Sequence, residues 1–181
     1  MKKLAYLFLS VLVIGTAVLA KQNPMVGGAP MLPARNIVEN AVNSADHTTL
    51  VAAVKAAGLV ETLQSPGPFT VFAPTNEAFS KLPAGTVDTL LKPENKDALA
   101  KVLTYHVVEG KMSSKDLWKA IKADHGTATL KTVSGGVLKA SLIGKGIVLT
   151  DEKGGTSKIT IADVNQSNGV IHVVDTVLLP N

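Results

Sequence analysis

The side chains best suited to chemistry in this 181-residue sequence are four histidines, because the chain has no cysteine. They are His47, His106, His125 and His172. No two are four residues apart, the spacing that places two metal ligands on one face of a helix. The lack of cysteine also excludes disulfides, thiolate metal sites and a cysteine nucleophile. We therefore expect no metal site and no cofactor.

Catalytic motifs are also absent from the sequence. The chain has no G-x-S-x-G nucleophile elbow, no G-x-x-x-x-G-K-[ST] phosphate loop and no H-E-x-x-H zinc motif. A hydrolase is still an alternative if the fold brings two ionisable side chains within hydrogen-bond reach in a cleft. The sequence favours a binding protein over an enzyme.

The charge and composition limit the class of partner. Lysine and arginine number 18 and aspartate and glutamate 14, which gives a formal net charge of +4. Lys2 and Lys3 contribute to this excess, and the other lysines are interspersed with acids, so we expect no nucleic-acid partner. The chain is 46% hydrophobic and 18% charged, which predicts a globular rather than a disordered protein.

The first twenty residues have the order of a secretory signal. Lys2 and Lys3 precede an apolar run from Leu4 to Ala17, and Val18-Leu19-Ala20 suits cleavage after Ala20. The uncharged run from Leu4 is slightly shorter than the ~20 residues that cross a bilayer, so an uncleaved anchor is the alternative. We expect a secreted or periplasmic protein with no membrane span after signal removal, and association with the cell surface is the alternative final location.

The next thirteen residues, 21–33, contain five prolines and glycines and lack apolar periodicity. They predict a linker between the signal and a single domain over residues 34–181.

Residues 34–126 have mainly helical spacing. Apolar residues recur with a period near 3.6 in six segments: 37–42, 50–57, 78–82, 86–91, 94–103 and 117–121. Asp46, Thr75 and Ser113 are predicted helix N-caps, and Asp116 completes a capping box with Ser113. Strands are predicted at Phe69–Ala73, which ends before Pro74, and at Tyr105–Val108.

After Gly126 the sequence becomes typical of strands. Five runs rich in Val, Ile, Leu and Thr are separated by glycine turns, and they are 127–133, 137–143, 147–150, 158–162 and 170–179. This pattern predicts a C-terminal antiparallel meander. Helices in the first two thirds and strands in the last third indicate an α+β fold.

Three segments resemble the motifs of the fasciclin (FAS1) family, in the order in which that family carries them. Phe69–Pro83 is similar to its H1 box, Tyr105-His106 to its YH motif, and Asn168–Pro180 to its H2 box. The resemblance extends from about Asn36 to Pro180 and points to the secreted, single-domain bacterial type. It implies a wedge of two β-sheets with a cluster of helices, and a role in cell adhesion rather than catalysis.

The resemblance also implies partner-binding positions. In adhesive members of the family, integrin recognition is associated with an Asp-Ile pair before H2 and with the YH motif. The corresponding residues here are Asp163, Val164, Tyr105 and His106, with Val in place of Ile. We expect the partner of a monomeric protein to be a cell-surface or matrix protein or glycan. The alternative function is binding of a small lipid or saccharide in a deep apolar pocket with a few polar groups.

The remaining motif residues are predicted to be structural. They are Thr70, Phe72, Pro74, Thr75, Asn76, Phe79, Asn168, Gly169 and His172.

Physical arguments also favour a structural role for several of these positions. His172 lies in a run that is apolar on both pleat faces, which predicts a central strand and a core histidine with both ring nitrogens bonded. Tyr105 and His106 have the same structural alternative. Asn168-Gly169 is predicted as a tight turn because both residues tolerate positive φ. Asp163 is expected either exposed in a loop or bonded to backbone N–H groups of the following turn.

Overall fold

The computed structural model describes residues 23–181. The predicted signal peptide, residues 1–20, lies outside the described residues. Seven α-helices occur in the described part of the chain: α1 (Ile37–Ala41), α2 (Thr48–Ala56), α3 (Val60–Gln64), α4 (Asn76–Ser80), α5 (Thr86–Leu90), α6 (Lys96–Tyr105) and α7 (Ser114–Ala123). Nine strands accompany them: β1 (Met25–Val26), β2 (Ala29–Pro30), β3 (Phe69–Pro74), β4 (Val107–Glu109), β5 (Thr127–Lys131), β6 (Val137–Ile143), β7 (Gly146–Thr150), β8 (Thr156–Gln166) and β9 (Gly169–Val174).

The helix starts follow from local capping. Ser113 accepts the N–H of Asp116, and the Asp116 carboxylate accepts the N–H of Ser113, which is the predicted capping box. Thr75 caps α4 by accepting the N–H of Ala78, also as predicted. The prediction for Asp46 was wrong, because this residue lies inside a short 3₁₀ turn, Ala45–His47, that leads directly into α2.

Seven strands form one sheet in the order β4-β3-β9-β8-β7-β6-β5. Consecutive strands from β5 to β9 pair antiparallel, which confirms the predicted meander. β9 pairs in parallel with β3 on its other side. An antiparallel bridge between Val108 and Thr132 joins β4 to the segment after β5, so the sheet is nearly closed. The predicted α+β fold is confirmed.

The seven-stranded sheet bends at β8, and the bend divides the sheet into two parts, which we call its arms. Its first residues, Thr156–Lys158, pair with β7, whereas Ile159–Gln166 pair with β9. The register shifts between Ile159 and Ile161 and again before Val164. Such irregularities bend a strand and increase its twist, which allows β8 to serve both arms of the wedge.

Alternation along β3 and β9 separates two apolar cores. Val71, Ala73, Ile171 and Val173 face the helices and pack against α1, α2, α3 and α6. Phe72 and Val174 face the opposite way, into the space enclosed by the sheet and α7. The two strands are therefore buried on both faces.

The structure corrects the linker prediction for residues 23–33. β1 and β2 form a hairpin, and Val26 and Met31 are buried in the helix-side core. The side chain of Asn23 forms two hydrogen bonds with the backbone of Asn165. Prolines and glycines here shape a short hairpin rather than a flexible connection, since two well-spaced apolar side chains are sufficient to anchor it.

Candidate functional site

Through its side chain, Tyr105 connects three parts of the domain, namely α6, β6 and the turn that contains Glu152. It is the last residue of α6, not part of a strand as predicted, and its side chain is fully buried. Its hydroxyl donates to the Val137 carbonyl at 2.7 Å and accepts the N–H of Glu152 at 3.1 Å. Burial raises the pKa of Tyr105 to about 12, so the phenol keeps its proton and its donor role at neutral pH.

His106 connects α6 to the C-terminal segment. Its Nδ1 lies 2.8 Å from the Val102 carbonyl, and its Nε2 accepts the N–H of Leu178 at 3.0 Å. This pattern requires a neutral ring that is protonated on Nδ1. Burial lowers the pKa of His106 to about 4, against the opposing effects of the Val102 carbonyl and Asp151.

Three of the four predicted partner-binding residues are inaccessible. The exposed fraction is 0% for Tyr105, 3% for His106 and 0% for Val164. Direct contact between a partner and these side chains would require the domain to open. A structural role therefore fits these three positions better than contact with a partner. Asp163 is half-buried. The aliphatic surroundings of the YH motif belong to the interior and not to a surface patch.

Polar side chains of the H1 segment, the H2 segment and β8 converge instead on residues 110–114, which connect β4 to the first residue of α7. Thr70 donates its hydroxyl hydrogen to the Gly110 carbonyl at 2.7 Å and accepts the N–H of Met112 at 2.9 Å. His172 contacts the Met112 carbonyl, and Asp163 accepts from Ser114. We call residues 110–114 the motif-held loop.

His172 is the buried centre of this network. Its Nε2 lies 2.9 Å from the Met112 carbonyl, and its Nδ1 accepts the N–H of Asp163 at 3.3 Å. The imidazole stacks on Phe72 with ring centroids 5.8 Å apart. Burial lowers the pKa of His172, so it acts as a neutral hydrogen-bonding residue. It lies in the core of a central strand, as the strand pattern predicts.

Asp163 is neither freely exposed nor bonded to the turn that follows it, so both expectations from the sequence need correction. Its carboxylate accepts the backbone N–H of Ser114 at 2.7 Å and the Ser114 hydroxyl at 2.5 Å. Its φ is 61°, a left-handed conformation that Asp and Asn tolerate better than other side chains. The residue ties a β8 irregularity to the first turn of α7.

We predict that Asp163→Ala lowers the free energy of unfolding by about 1–3 kcal/mol, because Ser114 loses its acceptor and alanine disfavours a positive φ. Asp163→Asn keeps an acceptor oxygen and tolerates the backbone, so its loss should be less than half as large. Chemical denaturation of both variants measures the difference. Equal losses for the two substitutions would contradict this role.

Asn168 joins the H2 segment to the helices. Its Oδ1 accepts the N–H of Ile37 at 3.0 Å, and its Nδ2 donates to the carbonyls of Leu63 and Ser65 at 2.8 and 2.9 Å. The predicted reason for Asn168-Gly169 was wrong, because neither residue has a positive φ. Gly169 is required for close approach instead, since a Cβ there would collide with the Phe69 carbonyl.

The other motif residues also hold helices and strands of the domain in position. Asn76 accepts the N–H of Thr49 at 2.9 Å and donates to the Ala45 carbonyl at 2.8 Å, which fixes the start of α2. Phe79 packs with Val177 in a small apolar cluster. Pro74 ends β3 beside Val174. These residues position elements and leave no reactive group facing solvent.

Asp151, which was not among the predicted site residues, holds the turn after β7 in place through its side-chain hydrogen bonds. Its Oδ1 accepts the N–H groups of Lys153 and Gly155 at 3.0 and 2.6 Å, and its Oδ2 accepts that of Leu179 at 3.0 Å. An Asp that precedes a Gly-Gly pair by a few residues is a usual turn former, and that spacing was the available signal.

The described part of the chain contains neither a cluster of metal ligands nor a membrane-spanning helix. Within residues 23–181 no three His, Cys, Asp or Glu side chains are grouped so that they could hold a metal ion. No helix in the same range has the length and apolar character needed to cross a bilayer.

Comparisons with known proteins place these motifs in context. The chain is 49% identical over 164 residues to protein sll1483 of Synechocystis sp., which covers 88% of this chain and 82% of that protein. It is 40% identical over 131 residues to transforming growth factor-beta-induced protein ig-h3 of Sus scrofa, covering 72% of this chain but 17% of that protein.

A solved structure shares the fold. The FAS1 domain pair of the insect cell adhesion molecule Fasciclin I matches with a TM-score of 0.71 at 19% identity, over 81% of this chain and 51% of that one. The Fasciclin domain family profile matches residues 45–180. The resemblance of the three motifs is thereby confirmed, and the chain belongs to the fasciclin family.

Proposed function

We propose that this protein is an exported, monomeric adhesion protein that binds a cell-surface or matrix protein or glycan through the motif-held loop. The observation that carries the proposal is the convergence of Thr70, His172 and Asp163 on residues 110–114. These side chains come from β3, β9 and β8, and each bonds to the loop instead of facing solvent. A loop that is fixed at three points loses little conformational entropy on binding.

The surroundings of the loop suit contact with a macromolecule. Glu109, Lys111 and Lys115 are exposed, and Met112 is half-buried. Beside them, a groove of about 500 Å³ runs between β4 and β5 and is lined in part by Val108, Leu130 and Val133. Charged side chains around a partly apolar groove are the usual anatomy of a protein-binding surface.

Catalysis has less support than adhesion. Asp163 and His172, the two titratable side chains that reach the motif-held loop from the sheet, are both engaged in hydrogen bonds that maintain the fold. The matched insect protein, Fasciclin I, is a cell adhesion molecule. The shared domain and the fixed loop support the same role for this chain.

We predict that Lys111→Glu reduces adhesion at least fivefold without lowering thermal stability. The substitution reverses the charge of an exposed side chain in the middle of the loop, and a rim charge acts mainly on association. The measurement is retention of cells of the source organism on beads coated with the protein.

The matched control is Lys92→Glu, which makes the same charge change on an exposed residue after α5. It should leave retention unchanged. Equal retention by the parent protein and both variants would overturn the choice of this loop, and no retention above bare beads would overturn adhesion itself.

A further inference from the structure

An apolar cavity of about 50 Å³ lies on the opposite side of β3 from the Phe72–His172 stack. Apolar side chains line its walls, among them Val26, Ile37, Val54, Val71, Val164 and Ile171. The cavity is enclosed by the β1–β2 hairpin, α1, α2 and α3 over one face of the sheet. We call it the hairpin cavity. Protein interiors contain few voids larger than a water molecule, so a cavity of this size requires an explanation.

One polar group in the cavity wall has no partner. His47 is 3% exposed, and its Nδ1 lies 2.8 Å from the Ser44 hydroxyl. Its Nε2 is the one buried side-chain nitrogen or oxygen within residues 23–181 that forms no hydrogen bond. Buried polar atoms are nearly always paired, and an exception indicates a missing water, ion or ligand.

His47 is one of the residues that line the hairpin cavity. Ser44 occupies the Nδ1 side of the ring, and the nearby Ala73 carbonyl raises the pKa of His47 against the larger effect of burial, although no hydrogen bond to Nε2 is formed. Ser44, His47 and Ala73 all line the cavity. Because Nδ1 is bonded to Ser44, Nε2 is the ring nitrogen available to a ligand in this cavity.

The cavity also has a route to solvent between α1 and α2. Val38, Ala41, Leu50 and Val51 line its outer part and are half-buried, and the exposed Lys55 stands at its rim. A chain of methylene groups can follow this apolar route outward, whereas the enclosed part holds only a few heavy atoms. The route supplies no row of polar groups, so it does not suit a saccharide.

We propose that the hairpin cavity binds a small amphipathic lipid whose single hydroxyl or carbonyl oxygen bonds to His47 Nε2 and whose alkyl chain leaves between α1 and α2. A neutral oxygen fits better than a carboxylate, because burial lowers the pKa of His47 and keeps the imidazole uncharged. The ligand would pair the one unsatisfied atom and fill apolar space, two effects that a purely apolar molecule or a sugar cannot combine.

The test is titration of the purified chain with 1-octanol, followed by thermal unfolding and by the ring resonances of His47. Octanol should raise the unfolding midpoint in a concentration-dependent manner and shift those resonances, since a ligand that binds only the folded state stabilises it. Glucose, which lacks the alkyl chain, should do neither.

Two variants and a matched control make the test decisive. His47→Leu removes the bonding nitrogen and should weaken octanol binding at least tenfold, whereas His125→Leu changes an exposed histidine and should not. Ala41→Phe fills the route and should weaken binding even if His47→Leu fails to fold. Octanol affinity equal to that of the parent in the folded variants, or a single ordered water on Nε2 in a crystal grown with octanol, would overturn the proposal.

Discussion

Acidification from pH 7 to pH 4.5 should lower the free energy of unfolding by about 2–3 kcal/mol through His106 alone. Burial lowers the pKa of His106 to about 4 in the folded protein, from an ordinary value of 6.5 that applies to the unfolded chain. Between these values the unfolded chain binds a proton that the folded chain does not. The contribution of His106 is therefore complete above pH 6.5 and is lost as the pH falls toward 4.

His47 and His172 act in the same direction, because burial lowers both of their pKa values. Urea unfolding at a series of pH values measures the total effect. The His106→Gln variant should be less stable than the parent at pH 7. On acidification to pH 4.5 its free energy of unfolding should fall by about 2–3 kcal/mol less than that of the parent. His125→Asn, at an exposed position with a positive φ, should keep the parent pH profile. Identical pH profiles for His106→Gln and the parent would contradict the assignment.

Asn168→Ala should lower the free energy of unfolding by about 3–5 kcal/mol, one of the largest losses for a single polar side chain here. Three backbone groups lose their partner at once: the N–H of Ile37 and the carbonyls of Leu63 and Ser65. The side chain is buried, so water cannot replace these bonds without opening the junction between the helices and β9.

Two further variants test the explanation for Asn168. Asn168→Asp keeps the acceptor for Ile37 but loses both donors and introduces a charge, so it should also be strongly destabilised. Asn43→Ala is the matched control, because this exposed amide donates only to the Glu39 carbonyl. Its loss should stay below about 0.5 kcal/mol. A loss at Asn168→Ala no larger than at Asn43→Ala would show that these hydrogen bonds contribute little.

The elements of the fold were largely predictable because local physics determines them. Val137–Ile143 was predicted with its observed bounds, since β-branched runs between glycine turns favour strands. The Ser113–Asp116 capping box was predicted for the same local reason. The parallel pairing of β3 with β9 was not predictable, because their residues are about 100 positions apart and no local pattern encodes that partner.

The candidate site was predictable in its residues but not in their roles. Tyr105 and Asp163 were selected by resemblance as surface contacts, whereas the structure gives them Val137 and Ser114 as partners. Which side of a helix end faces the interior depends on tertiary packing, and an irregularity in β8 decides where Asp163 points. The position of His172 was easier to predict, because both faces of its strand are apolar and the imidazole is therefore buried.

The central position of β9 has a consequence for how the chain is made. Within residues 23–181 every other helix and strand leaves the ribosome before β9, yet β9 lies between β3 and β8 and carries residues of both apolar cores. Folding therefore cannot follow the order of synthesis, as it does when early segments form a complete unit. The nascent chain stays open until about residue 178, when His106 gains its Leu178 partner. A ribosome that stalls before Gly169 would leave β3 and β8 as two unpaired apolar edges, the kind of surface on which chains aggregate.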